Sequence, residues 1–121
     1  VRLESEAAQL NPAARSIADN SPDNIMLLDR EGRIRFINRT VPDLTIEQVI
    51  GTAVTDYVPD PYREAIQECL ARVIASRQPD RYETAYVAEN GDISYWESRV
   101  GPVLEDGEVA SFVVTSSNVT E

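Results

Sequence analysis

The chain has 121 residues, 21 of them acidic against 11 basic, for a net charge of −10. One domain fits that length, and the acidic balance repels phosphate backbones, which sets nucleic acid aside as a partner. Every basic residue is Arg; with no Lys and no His, a Ser-His-Asp triad, an imidazole-ligated zinc or haem and a Lys Schiff base are all excluded.

An apolar share of 42% suits a folded domain rather than an acidic tail. No run approaches a membrane span and no secretory signal opens the chain, so no membrane contact is expected of this segment. The single Cys69 excludes an internal disulfide and fits a reducing, cytoplasmic setting. The bare Val1 start and abrupt Glu121 end point to a portion of a longer protein.

Residues 1–20 read as an opening segment with a flanking helix, and 21–121 as the domain proper. Leu3, Ala7, Leu10, Ala14 and Ile17 recur in steps of four and three, a coiled-coil seam interrupted by Pro12. Asn11-Pro12 reads as an N-cap with Pro at the first helical position, so a helix is expected from Pro12 to about Asn20. Its apolar edge either packs on its own domain or, through Leu3, Leu10, Ala14 and Ile17, seams a dimer. After the turn at 20–23, Ile25–Asp29 has strand length. Asp29–Gly32 turns, and Arg33–Asn38 alternates, with Ile34, Phe36 and Asn38 on one face.

The middle is helical. Thr45 to Gln48 forms a capping box, and Gly51 stops the short helix. Asp60-Pro61 opens a longer one. Tyr62, Ala65, Ile66, Cys69, Leu70, Val73 and Ile74 make a continuous apolar stripe, and Glu68 and Arg72 are expected to pair on the wet side. Gln78-Pro79 ends it. Three strands follow: Arg81–Ala88, Ile93–Leu104 and Val109–Ser117. Asn90-Gly91 and Asp106-Gly107 sit at the turns, and Gly101-Pro102 marks a bulge or an edge. The class is α+β, a five-stranded antiparallel sheet with helices inserted after the second strand.

The motifs, in this order, resemble a PAS domain, the small sensory module of bacterial signalling proteins, over roughly Asn20 to Glu121. Asn20–Ile25 running to Leu28-Asp29 is similar to the family's first strand. Gly32–Asn38 resembles its second strand with a terminal Asn. Glu47–Gly51 resembles the helix closing on Gly, and Asn90-Gly91 followed by Trp96 and Gly101–Val103 resembles the fourth strand. Asn118–Glu121 resembles the exit motif joining such domains to an effector, with Asn118 where the family usually has Asp. An Asn there accepts a hydrogen bond but brings no charge. Between Asn38 and Thr45 the chain is shorter than usual, so the first pocket-side helix is expected to be truncated.

The resemblance implies a PAS-like fold: a five-stranded antiparallel sheet, helices on one face, plus the N-terminal flanking helix. It implies a cytoplasmic sensory and dimerisation domain reporting to an effector in the same polypeptide, most readily a histidine kinase, with a nucleotide cyclase the other parent considered. Between long helix and sheet it implies a small cavity, walled by Ile66, Cys69, Leu70 and Val73 on one side and Ile34, Phe36 and Asn38 on the other. The signal would leave through Asn118, Thr120 and Glu121. Haem-binding members mostly use a His, absent here, and Met26 and Cys69 read as core. The light-sensing branch needs a Cys on the helix before the long one, and Thr45–Val58 has none, so no cofactor or metal is expected and any small-molecule ligand is unnamed. Tyr57, Tyr62, Tyr82, Tyr86, Tyr95 and Trp96 read mainly as sheet packing, and Arg30, Arg33, Arg35 and Arg39 as a solvated face. Two alternatives stand beside sensing: a ligand-free structural dimerisation module, and a small α+β enzyme with a pocket Asp and Tyr. Against the enzyme, a hairpin precedes the helices and no Asp sits plainly on a core face.

Overall fold

The computed structural model describes residues 12–120. Chain order runs α1 (Pro12–Asn20), β1 (Asn24–Asp29), β2 (Ile34–Ile37), α2 (Ile46–Val49), a 3₁₀ turn (Val54–Tyr57), α3 (Asp60–Ser76), β3 (Asp80–Val87), β4 (Ile93–Glu105) and β5 (Glu108–Asn118). The strands form one antiparallel sheet in the order β2-β1-β5-β4-β3. The first hairpin and the last three strands therefore meet where β1 pairs β5, and the helical insertion spans from one sheet edge to the other.

The stripe read along α3 is its buried face: Ile66, Cys69, Leu70 and Val73 lie against the sheet, on the side that presents Leu28, Val100, Phe112 and Val114. Removal of this surface from water is the main cohesive contribution. Helix α3 ends with Arg77 in the left-handed region (φ 58), where its Nε donates to the Gly107 carbonyl (2.7 Å) and its guanidinium pairs with Glu108 (2.8 Å). Arg72 pairs not with Glu68 but with Asp80 (2.6 Å), because the turn into β3 brings that carboxylate beside the last turns of the helix. The Arg72 hydrogen bond holds the Asp80 carboxyl below its usual range.

Asp29 organises the first hairpin. One carboxylate oxygen accepts from the Glu31 and Arg33 amides (3.0 and 2.9 Å), the other from Arg35 (3.1 Å). Gly32 sits in the turn at φ 85, and a Cβ there would stand 3.4 Å from Leu70 Cδ1. Thr45 and Gln48 form the expected capping box. Residues 39–45 form no helix, in keeping with the short spacing. At Gly101-Pro102 the β4–β5 register is continuous; the irregularity falls between Val103 and Leu104. Pro102 is tolerated because β3 ends its pairing at Val100, leaving an open edge.

Helix α1 lies on the opposite, outer face of the sheet. Ala14, Ile17 and Ala18 border a hollow with Ile25, Leu27, Phe36 and Val113, and the Arg15 guanidinium stands 5.3 Å from the Phe36 ring centre. Ala18 is buried, whereas Ile17 is 72% exposed. Leu3 and Leu10 fall outside the described residues.

Candidate functional site

The inner face of the sheet carries a polar band that the register sets out directly. Asn24 on β1 pairs with Ser116 on β5, Ser116 with Ser98 on β4, and Ser98 with Tyr82 on β3. Partners in register share a face, so these four side chains form one row across four strands. Thr84, two residues along β3, lies opposite Trp96 in the next row. Ser98 and Ser116 hydrogen-bond each other at 2.7 Å. Burial pushes the Tyr82 phenol up to about 12, and Ser98 offsets this only in part.

Over this row stands a cavity of about 120 Å³. Met26, Ile34, Ile37, Val49, Val54 and Ile66 give it an apolar wall. Thr40, Val41 and Leu44 roof it from the segment between β2 and α2. Tyr57 borders it with its hydroxyl bound to Thr52 (2.6 Å). A wider hollow of about 470 Å³ shares Asn24, Thr40, Val41, Tyr86 and Trp96 with the cavity and reaches Arg39, Asp43 and Asp92. Asp43 latches roof to sheet: one oxygen accepts from the Tyr86 hydroxyl and from the Glu89 amide, both at 3.0 Å. Burial first, then the Asp43 carboxylate, raises the Tyr86 pKa.

Of the seven wall residues expected from the sequence, Ile34 and Ile66 border the cavity. Cys69, Leu70 and Val73 are core beneath it, and burial pushes the Cys69 thiol up. Phe36 and Asn38 are not on the wall. The reason is a bulge: Leu28 pairs with Ile34 and Leu27 with Phe36, so Arg35 is the extra residue and strict alternation fails. Phe36 goes to the outer face beside α1. Asn38 instead extends the β1 ladder. Its backbone amide donates to the Ile25 carbonyl (3.1 Å), its Oδ1 accepts from the Ile25 amide (2.8 Å), and its Nδ2 donates to the Ala18 (2.6 Å) and Asp23 (3.1 Å) carbonyls.

Four of the six aromatic side chains read mainly as sheet packing, Tyr57, Tyr82, Tyr86 and Trp96, border the cavity. For Tyr82 and Tyr86 the signal is the spacing Tyr82-Thr84-Tyr86, one face of a strand. The Arg cluster is a set of staples rather than a solvated face. Arg30 donates to the Val109 carbonyl, Arg33 to the Gly51 carbonyl, Arg39 to the Asp19 and Asp23 backbone carbonyls, and Arg35 to the Asp29 carboxylate. Among the described residues no group of three or more Cys, Asp or Glu side chains is placed to hold a metal, and no helix is long and apolar enough to cross a membrane.

At the exit, the Asn118 Oδ1 accepts from the Thr120 amide (3.0 Å), and the Thr120 hydroxyl accepts from the Tyr95 amide (2.7 Å). The Val119 amide donates to the Tyr95 carbonyl (2.8 Å). Glu121 lies outside the described residues.

A family model described as the PAS fold matches residues 18–121. The chain belongs to the PAS family. Solved PAS domains superpose on it closely, at identities that show the fold alone. A PAS domain from Colwellia psychrerythraea has a TM-score of 0.74 at 20% identity, covering 87% of this chain and 92% of that one. A PAS domain from a two-component sensor histidine kinase has 0.67 at 18%, covering 88% and 93%. The PAS domain of the Cronobacter turicensis RpfR quorum-sensing receptor, in complex with C12:0, has 0.69 at 19%, covering 84% and 97%. No match is found among curated proteins. PAS domains are sensory rather than catalytic modules, and the Asp-Tyr enzyme reading falls away.

Proposed function

We propose that this PAS domain senses a small molecule held in the cavity above the Asn24–Ser116–Ser98–Tyr82 row, and passes the change to an effector domain of the same polypeptide. The observation that carries the reading is the cavity itself: an apolar chamber with a few placed hydroxyls, built at the junction of helix, roof and sheet. A guest favouring one arrangement of roof and α3 shifts a two-state equilibrium by its differential affinity. Likeness to the PAS domain of a two-component sensor histidine kinase supports a histidine kinase parent, likeness to the RpfR receptor domain in complex with C12:0 supports a bound small molecule, and the single Cys69 fits a cytoplasmic setting. The reading requires no metal or prosthetic group. Asn118 and Thr120, with Glu121 beyond them, are the proposed exit.

The test is native mass spectrometry of freshly purified protein with thermal shifts across a metabolite panel. A bound mass, or a shift abolished by filling the cavity with Val49→Phe, is expected. No bound mass and no shift from any compound would sink sensing.

A second reading, a ligand-free dimerisation module, is favoured by the outer face. Ile17 (72% exposed) and Val113 (40% exposed) sit at the α1 hollow, and Leu3, Leu10, Ala14 and Ile17 would seam a homodimer. Sedimentation checks it: Ile17→Glu turns a dimer into a monomer, and a wild-type monomer at high concentration removes the idea.

A further inference from the structure

The lining defines the chemistry of the guest, on the premise that the cavity takes one. No Arg, Asp or Glu borders the chamber; the charged groups Arg39, Asp43 and Asp92 border only the outer hollow. A charged guest would lose its hydration with nothing to replace it.

The chamber is nonetheless not uniformly apolar. Thr84 is 8% exposed, and its hydroxyl has no hydrogen-bond partner among the described residues. Among the described residues every fully enclosed polar side-chain atom is satisfied, so the Thr84 oxygen keeps accessible surface on the cavity it borders. A guest that excludes water from this oxygen without offering it a hydrogen bond leaves it unsatisfied, which favours a guest that supplies one. Ser98 and Ser116 bond each other, and Asn24 and Thr40 are only partly buried and also border the outer hollow, so Thr84 is the deepest hydroxyl left to offer. Size adds a second constraint. A dry cavity of about 150 Å³ holds benzene, and this chamber is about 120 Å³.

We propose that the chamber selects small uncharged molecules of about six non-hydrogen atoms bearing one carbonyl or hydroxyl oxygen, which accepts from Thr84 while the hydrocarbon part lies against Ile34, Ile37, Val49 and Ile66. The class is that of short branched ketones and alcohols.

Shape-matched probes test this by amide NMR titration of the 121-residue chain. They are 3-methylbutan-2-one, its alkene isostere 2,3-dimethylbut-1-ene, and the anion isobutyrate. The ketone is expected to shift residues around the cavity and to bind at least about tenfold more tightly than isobutyrate. Thr84→Val, which keeps the shape, is expected to weaken the ketone about fivefold while leaving the alkene unchanged or tighter. Thr84→Ser is expected to retain the ketone. Isobutyrate matching the ketone, or Thr84→Val leaving the ketone-to-alkene ratio unchanged, overturns the selectivity while alkene binding keeps the guest cavity. If neither ketone nor alkene shifts any resonance, the cavity reading itself is overturned.

Discussion

Replacing Asn38 by Ala removes one side chain that joins three segments. Its Oδ1 supplies the acceptor that a further β2 residue would have offered to Ile25, and its Nδ2 holds the last turn of α1 through Ala18 and the connecting turn through Asp23. Each such bond contributes about 1 kcal/mol net, so three would total about 3 kcal/mol. The Ala18 carbonyl also accepts from the Ser21 amide (3.3 Å) and the Asp23 carbonyl from the Arg39 guanidinium (2.8 Å), which lowers the expected loss to about 2 kcal/mol. For a domain of this size that corresponds to a melting point lower by about 10 °C. Urea unfolding measures the global loss. Hydrogen exchange at Ala18–Asn20 and Ile25 should show those amides opening well before the core, because α1 loses its anchor while α3 and β3–β5 keep theirs. A loss below about 0.5 kcal/mol, or unchanged protection in α1, would refute the assignment of Asn38 as a clamp.

Three further outcomes are expected. Tyr82 is buried and its folded pKa is raised to about 12, so its contribution is complete below the unfolded value near 10. That contribution, about 3 kcal/mol, is lost as pH climbs from about 10 to 12; unfolding curves for wild type and Tyr82→Phe should diverge in that window and nowhere below it. Ile66→Ala beside the existing cavity should destabilise by about 3–4 kcal/mol, and thermal shift should show partial recovery with benzene. Asp43→Ala removes the acceptor shared by Tyr86 and Glu89; amides 40–44 should exchange faster, and absorbance titration should show Tyr86 ionising at lower pH, since Asp43 is one cause of its raised value.

How far the sequence could be read depended on whether a feature was local. The α3 stripe, the Thr45 box and the Asn90-Gly91 hairpin are set by neighbours within one or two turns, and each stands where the pattern put it. Elements found by period alone lose their face when the period breaks. Arg35 bulges out of β2 because Asp29 draws in both its guanidinium and the Arg33 amide, so Phe36 and Ile34 part company. No local pattern announces that long-range arrangement. The cavity row was half visible: Tyr82-Thr84-Tyr86 alternates on one strand, but its continuation through Ser98 and Ser116 to Asn24 needs the β2-β1-β5-β4-β3 order. The Arg72 partner failed similarly, since Asp80 is brought near by the chain reversal after Arg77 rather than by helical spacing.

The stitching of Val119 and Thr120 to Tyr95 gives the last strand a mechanical character. A load applied at Thr120 along β5 is shared in shear by the whole β4 ladder, whereas one applied sideways unzips it a rung at a time, starting at Tyr95. Torque from a neighbouring domain would thus arrive first at the backbone of the residue just before Trp96, which borders the chamber.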